Sequence, residues 1–499
     1  MKKIFLYGFT ALLLLATSCN KWLEVKPDNQ KTTKELFSTY SGFCDALNGC
    51  YIKLKNQSIY GEKLTMSNIE SMAQLWRVDQ TSRPADYELM NFDYTGDNAK
   101  SAIRNIYAGL YNVIAQANMI INNIESRGSV IPEASTRAMI EGEAYAIRAF
   151  CHFDVLRLFG QLPKNATVQV SLPYAESVSS ESLPHYYDYT QFVAKIEADL
   201  EKAELLLKDN DPIFKYTFTY LNDFVVSGDI VIDDFLGYRQ NRFNYWAVKA
   251  LLARFYLYTG ITTKAYTIAK SIINAKGVDG NALITLSGAT DILADYLACP
   301  SECMMMLNAY SIMDYSPNIL GAGYPPIRTN HLVITQSQLN ELFEDQSPAS
   351  NNRYNDVWDR STMDANGTIY PVLKKYYYDT DVLVSDYINL TKRQVIPLIR
   401  LSEMYLIVME TTADLNEANS LWMAYQLSHA VLPTQDAFAS LDEVKTAVFN
   451  EYRREFYGEG QMFYTYKRTG ATSMLWRTIT VNESDYIVPL PDTEYNPNI

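Results

Sequence analysis

The chain has 499 residues, 48% hydrophobic and 20% charged, which fits a globular protein longer than one ordinary hydrophobic core and excludes a disordered or collagen-like chain. Its 57 acidic and 43 basic residues leave a net charge of −14, which would repel a phosphate backbone and argues against nucleic acid as a partner. Aromatic residues are abundant: with 38 Tyr, 20 Phe and 6 Trp, rings remain for a recognition surface after the core is filled.

At the N-terminus, Lys2 and Lys3 precede an apolar run from Ile4 to Ala16. That run is shorter than the ~20 residues a permanent bilayer span needs and suits a secretory signal. The segment Leu15-Ala16-Thr17-Ser18-Cys19 resembles a bacterial lipobox, with Ala16 where Leu, Val or Ile is usual. Residues 1–18 are therefore expected to be a lipoprotein signal peptide, with Cys19 acylated and anchoring the mature chain to a membrane surface. An ordinary secreted protein and an uncleaved anchor are the alternatives. The other cysteines, Cys44, Cys50, Cys151, Cys299 and Cys303, read as small buried hydrophobes, with Cys299 and Cys303 close enough in sequence for one optional disulfide.

Helical periodicity dominates the body. Residues 34–55, 98–125, 133–159 and 188–208 each carry apolar residues at three- and four-residue spacing. The stretch 210–242 breaks this pattern, with a strand-like run from Val225 to Ile232. Residues 243–276 form two helices split at Thr259-Gly260. From 277 to about 395 the chain is rich in Pro, Asn, Ser and Asp and reads as loops. Helices resume at 397–412, 415–430 and 440–457, and 478–499 reads as an extended polar tail. Within 250–272, Ala253, Tyr256, Gly260, Ala265 and Ala269 fit a tetratricopeptide helix pair, and 397–430 is a looser version. The expected fold is mainly α: stacked tetratricopeptide-like helix pairs in a superhelix, with a loop-rich ligand-binding portion.

Catalytic patterns are missing. No GxSxG, HExxH, P-loop or GxGxxG occurs. Glu141 and Glu143 point to different helix faces, and Glu455 and Glu459 read as ion-paired by Arg453, Arg454, Lys467 and Arg468. His152 reads as a satisfied helical histidine. The Asp-rich stretches at 209–211 and 229–234 lack calcium-loop spacing and read as solvated loops, so neither metal nor cofactor is expected.

Several segments in order resemble the SusD-like (RagB/SusD) family. They are Cys19-Asn20-Lys21-Trp22-Leu23, Gly142-Glu143-Ala144-Tyr145 through Phe159-Gly160, Ala250 to Gly260, Pro397 to Leu406, Tyr452-Arg453-Arg454-Glu455-Phe456, Lys467-Arg468-Thr469-Gly470, and the ending Pro489-Leu490-Pro491 to Asn498. Gln461-Met462-Phe463-Tyr464-Thr465 departs from the family's usual His-Arg-aromatic-aromatic-Asp run. The resemblance implies an outer-membrane lipoprotein facing the cell exterior. It would bind a nutrient, most often a glycan, without catalysis, and deliver it to a SusC-like TonB-dependent transporter. After the signal, 19–276 would be an N-terminal helical part with tetratricopeptide-like pairs, and 277–499 a loop-rich portion with C-terminal helices of the same fold. A sugar site needs rings to stack on and polar groups to bind hydroxyls. The loop candidates are Trp76, Arg77, Asp79 and Tyr87 in one stretch and Tyr310, Tyr315 and Trp358 in another, with the two indoles as stacking platforms. The alternative is a surface tetratricopeptide scaffold that binds a protein or peptide along its helices; a glycan-cleaving lipoprotein is a third reading.

Overall fold

The structure, a computed structural model, describes residues 32–177, 184–223, 233–344, 346, 350–379, 387–432 and 437–495. The signal peptide, Cys19 and the strand-like run 225–232 lie outside them. The molecule is mainly helical. The helix expected over 34–55 is two, Thr33–Leu36 and Tyr40–Leu54 (α1). Thr39 causes the break: it is extended, and its hydroxyl accepts the Gly42 N–H at 3.1 Å as an N-cap. Next come Asp97–Arg127 (α2), Ala134–Phe159 (α3), Tyr189–Leu207 (α4), Tyr245–Thr259 (α5) and Thr262–Ile273 (α6). A small antiparallel pair, Leu172–Tyr174 (β1) and His185–Tyr187 (β2), lies between α3 and α4.

The loop-heavy middle contains short helices and two further strand pairs. Cys303–Asn308 (β3) pairs antiparallel with Val395–Arg400 (β6), and Trp358–Asp359 (β4) pairs with Val372–Leu373 (β5). The helix expected from 397 therefore starts only at Leu401. Val395 and Ile396 are β-branched, and Pro397 cannot donate within a helix, so this fully buried run is strand. The chain ends with Leu401–Thr411 (α7), Leu415–Ser428 (α8), Leu441–Glu455 (α9) and Met462–Thr469 (α10). The last was not expected from the sequence. The tail forms a 3-10 turn at Glu483–Tyr486 and buries Tyr486.

Each long helix packs on the next: α1 on α2, α2 on α3, α3 on α4, α4 on α5, α5 on α6, α6 on α7, and α7 on α8 and α9. This is the tetratricopeptide-like arrangement, in which each pair buries its face on its neighbours. One hydrophobic cluster runs from Phe37 to Leu490. α3 is at its centre, and every residue from Ala146 to Phe159 is buried.

Its polar side chains are accordingly paired. Glu143 meets Arg239 at 2.6 Å and Arg242 at 3.0 Å, and Arg148 meets Asp199 at 2.6 Å. Asp211, expected in a solvated loop, is buried against Arg239 at 2.9 Å. His152 is satisfied as expected: Nδ1 lies 3.0 Å from the Arg148 carbonyl, Nε2 accepts the Ala175 N–H at 3.1 Å, and the ring stacks on Tyr174 at 3.8 Å. Burial pushes its pKa well below the usual histidine value, so it is neutral.

Glu455 and Glu459 are ion-paired, but with other partners than their sequence neighbours. Glu455 binds Arg353 at 2.6 Å and Arg400, while Glu459 binds Lys375 at 2.7 Å and Arg400 at 2.9 Å. Arg454 instead meets Glu451 at 2.9 Å, and Arg468 meets Glu410 at 2.6 Å. Cys50, Cys151, Cys299 and Cys303 are buried free thiols and Cys44 is half-buried; the optional disulfide is not formed, and the Cys303 thiol donates to the Cys299 carbonyl at 3.4 Å.

Candidate functional site: a loop face joining the N-terminal and middle segments

The two stretches picked from sequence are neighbours in space. The Arg77 N–H donates to the Val333 carbonyl at 2.9 Å in an isolated antiparallel bridge. Five residues on, the Ser82 and Thr329 hydroxyls share a hydrogen bond of 2.6 Å, and Arg83 donates to the Asn330 carbonyl at 3.3 Å. The hairpin built on β4 and β5 closes the face: the Ile327 N–H donates to the Met363 carbonyl at 2.8 Å.

Backbone direction decides which side chains reach the surface. In β4 successive residues point to opposite sides, so Trp358 turns inward beside the more exposed Asp359, and at the seam Trp76 is buried beside the exposed Arg77. Trp76 is 3% exposed; its indole N–H donates to the Met66 carbonyl at 2.8 Å. Trp358 is also 3% exposed, and both indoles pack edge-on against Tyr457, at 4.9 and 5.0 Å. The expectation that these two rings form an exposed stacking platform is thus corrected. Their charged neighbours mark the outward side of the same chain, while the indoles pack together behind the face.

Arg77 is exposed, lies 5.2 Å over the Tyr370 ring and donates to its hydroxyl at 2.5 Å. Asp79 accepts the Ser82 and Thr81 N–H groups at 2.8 and 3.1 Å. These bonds, the Ser82 amide first, hold its carboxyl below the usual range, so Asp79 shapes the turn as an anion. Tyr87 is half-buried on the short helix Pro84–Met90. Tyr315 is half-buried on Ile312–Leu320, and Tyr310 is 68% exposed with the Lys55 ammonium 5.1 Å from its ring.

Beside the seam runs an open groove of ≈ 690 Å³, lined by Gln336, Asn340, Tyr354, Asp359, Arg360 and Lys374 among others, with Trp358 contributing to its wall. Arg360 stacks over Tyr354 at 4.6 Å and donates to Asn355 at 3.1 Å, and the Tyr354 hydroxyl donates to Asn340 at 2.7 Å. Asp359 accepts from the Ser361 amide and hydroxyl at 2.8 and 2.6 Å.

Sequence reasoning missed Tyr354 and Tyr370. Tyr370 has no charged sequence neighbour and owes its position to the hairpin return; Tyr354 sits two residues from Asp356, inside a short helix that the composition did not announce. The face offers the half-buried Tyr370 ring, with Tyr354 buried beneath Arg360, and side chains that both donate and accept, suited to holding hydroxyl-rich molecules. Among the described residues no group of three or more His, Cys, Asp or Glu could hold a metal ion.

Two family models match the chain. One, SusD-like and described as "Starch-binding associating with outer membrane", matches residues 21–221; the SusD family model matches residues 328–496. Two SusD-like proteins of Formosa agariphila are each 28% identical, over 157 and 167 residues, or 31% and 33% of this chain. These alignments span about a third of those relatives, 30% and 31% of their length. Among solved structures, a SusD superfamily protein from Bacteroides thetaiotaomicron superposes with a TM-score of 0.67 at 22% identity, covering 92% of this chain and 98% of the other. A structure described as a laminarin binding SusD-like protein superposes at 0.63 with 17% identity and the same two coverages. A SusD-like carbohydrate binding protein from Bacteroides vulgatus superposes at 0.61 with 18% identity, covering 87% and 84%. These likenesses establish the fold.

Proposed function

Since this chain belongs to the SusD-like family, we propose that it is a non-catalytic glycan-binding lipoprotein of the outer membrane, holding an oligosaccharide on the loop face for a SusC-like TonB-dependent transporter. The observation that carries the reading is the seam itself. Arg77, Tyr370 and the Ser82–Thr329 pair bring rings and hydrogen-bonding groups from distant parts of the chain onto one exposed surface. Tyr324, 44% exposed on the adjoining loop, supplies a further ring. The solved relative described as laminarin binding supports a neutral glucan as ligand class.

Anchoring through Cys19 follows from the lipobox-like sequence, and no helix of the described residues is long and apolar enough to cross a membrane. The α1–α9 scaffold is left to carry the loop face and meet the transporter.

The test is native affinity electrophoresis of the full chain, purified in detergent, through gels containing laminarin, starch or other neutral polysaccharides. Retardation by at least one polysaccharide, reduced in Tyr324→Ala, is the expected result. Unretarded migration in every gel would contradict glycan binding. Labelling with a clickable fatty acid tests the anchor: the wild type should label and Cys19→Ala should not.

A further inference from the structure

Among the described residues, Trp476 is the tryptophan with no aromatic ring or cation against its indole. Tyr457 packs on Trp76 and Trp358, Tyr245 and Lys249 on Trp246, and Tyr425 and Phe438 on Trp422. Trp476 follows α10, rests on the hydrophobic core and is half-buried. Its orientation is fixed, because the indole N–H donates to the Glu341 carboxylate at 2.9 Å. A partly exposed ring held in one orientation loses little freedom when a ligand packs against it.

Glu341 ties this ring to the groove. It follows Asn340 on the short helix Gln336–Leu342, and both side chains are exposed. Gln336 and Asn340, one turn apart, line the groove, whereas Glu341 is rotated ~100° from Asn340 and meets Trp476. The groove and Trp476 therefore stand on two flanks of one helix.

Backbone strain gathers at the same edge. Gln74, Phe92 and Trp476 lie in the left-handed region, at φ 63°, 57° and 66°. They meet around one carbonyl. Gln74 donates to the Met90 carbonyl at 2.5 Å, Phe92 lies two residues beyond Met90, and Arg477 donates to the same carbonyl at 3.1 Å. Arg477 also lies 4.6 Å over the Phe92 ring. Such conformations are disfavoured for large side chains and collect at ligand clamps. Gln74 precedes Arg77 by three residues, so this edge continues the loop face.

We propose that Trp476 makes the glycan site selective for long chains: an oligosaccharide seated in the groove crosses the helix Gln336–Leu342 and stacks a sugar ring on this indole. A helix with its side chains is about 10–12 Å across, so only a chain of several units reaches from groove to ring. The Asn340 amide, on the way, can both donate to and accept from hydroxyls, and the indole takes the C–H face of a sugar. The assignment rests on the glycan-binding reading of the loop face and adds a chain-length preference to it.

Calorimetric titration of the full chain in detergent with laminarihexaose and laminaribiose, and with maltohexaose and maltose, tests it. Trp476→Gly removes the ring and installs the residue most at ease at positive φ. It should bind the hexasaccharide roughly three- to tenfold more weakly than wild type, as the loss of a stacked ring implies, and the disaccharide equally well. Trp476→Phe serves where the glycine variant does not fold: the change in tryptophan emission that the hexasaccharide causes in wild type should be largely lost in it. Wild-type hexasaccharide affinity in Trp476→Gly, an equal loss for both lengths, or an unaltered emission change in Trp476→Phe would overturn the proposal while leaving the loop face standing. Absence of binding by all four saccharides would overturn it together with the reading it rests on.

Discussion

Trp76, Trp358 and Tyr457 form one buried aromatic cluster, and the Tyr457 hydroxyl bonds the Leu75 carbonyl directly behind the exposed seam. Removing a buried indole leaves a cavity and typically costs about 3–5 kcal/mol. Trp76→Ala should therefore lower the denaturant midpoint strongly, a loss read by chemical denaturation whether or not sugar is present; an unchanged midpoint would mean the indole is not packed. A second residue-scale expectation concerns Glu70. Burial pushes its pKa up to about 8, against the opposing Gly460 N–H that donates to it at 2.6 Å. Between about pH 4.5 and pH 8 the folded chain keeps a proton that the unfolded chain releases, so this group's contribution is complete below that window and is lost as pH rises through it. Glu70→Gln mimics the protonated form. Its stability should match wild type near pH 5 and exceed it above pH 8, measured by denaturation at several pH values. Parallel profiles would show that Glu70 is already ionised in the folded state.

The turn between α5 and α6 shows what an element boundary demands. Gly260 has φ 84°, its N–H closes on the Leu257 carbonyl at 3.2 Å, and an added Cβ would come 3.1 Å from Lys164 Cε. Lysine can move aside, so the backbone conformation dominates, at roughly 1–2 kcal/mol for a side chain in the left-handed region. Gly260→Val should lower the melting temperature by differential scanning calorimetry, and by more than Gly470→Ala, whose added Cβ meets nothing within 4 Å at φ 65°. This turn was legible because Thr259-Gly260 interrupts two clear periodic stretches. The α2 and α3 helices were legible for the same reason. β6 was not: Val395 to Arg400 is a short apolar run whose alternation is hidden by burial on both faces, and it runs straight into α7. α10 was missed because it is only 8 residues long, too short for a periodic pattern to register. Charged residues beside aromatic ones marked in the sequence the two stretches that the structure brings together at Arg77 and Val333. Which residue of each pair faces out depends on backbone pairing with Val333 and Leu373, and that information is not local.

At the scale of the molecule, Arg400 ties the middle to the C-terminal helices. Its guanidinium reaches Glu302 at 2.5 Å, Glu459 at 2.9 Å and Glu455, while the His429 ring nitrogen lies 3.2 Å from Glu455. Removing the cation leaves the buried Glu302 without its ion-pair partner and takes one partner each from Glu455 and Glu459, so Arg400→Met should destabilise the fold by about 3–5 kcal/mol in equilibrium denaturation. A loss below 1 kcal/mol would mean that water or a neighbouring cation takes its place. This network and the stacked helices hold the loops that meet at Arg77 and Val333, and the central claim is that a glycan binds on those loops and not along the helices. Hydrogen–deuterium exchange of the full chain, with and without a bound neutral oligosaccharide, tests this most directly. The account predicts added protection in 77–83, 323–333 and 359–370 and an oligosaccharide recovered at its original length. Protection confined to the α5–α8 helices, or a shortened oligosaccharide, would contradict it.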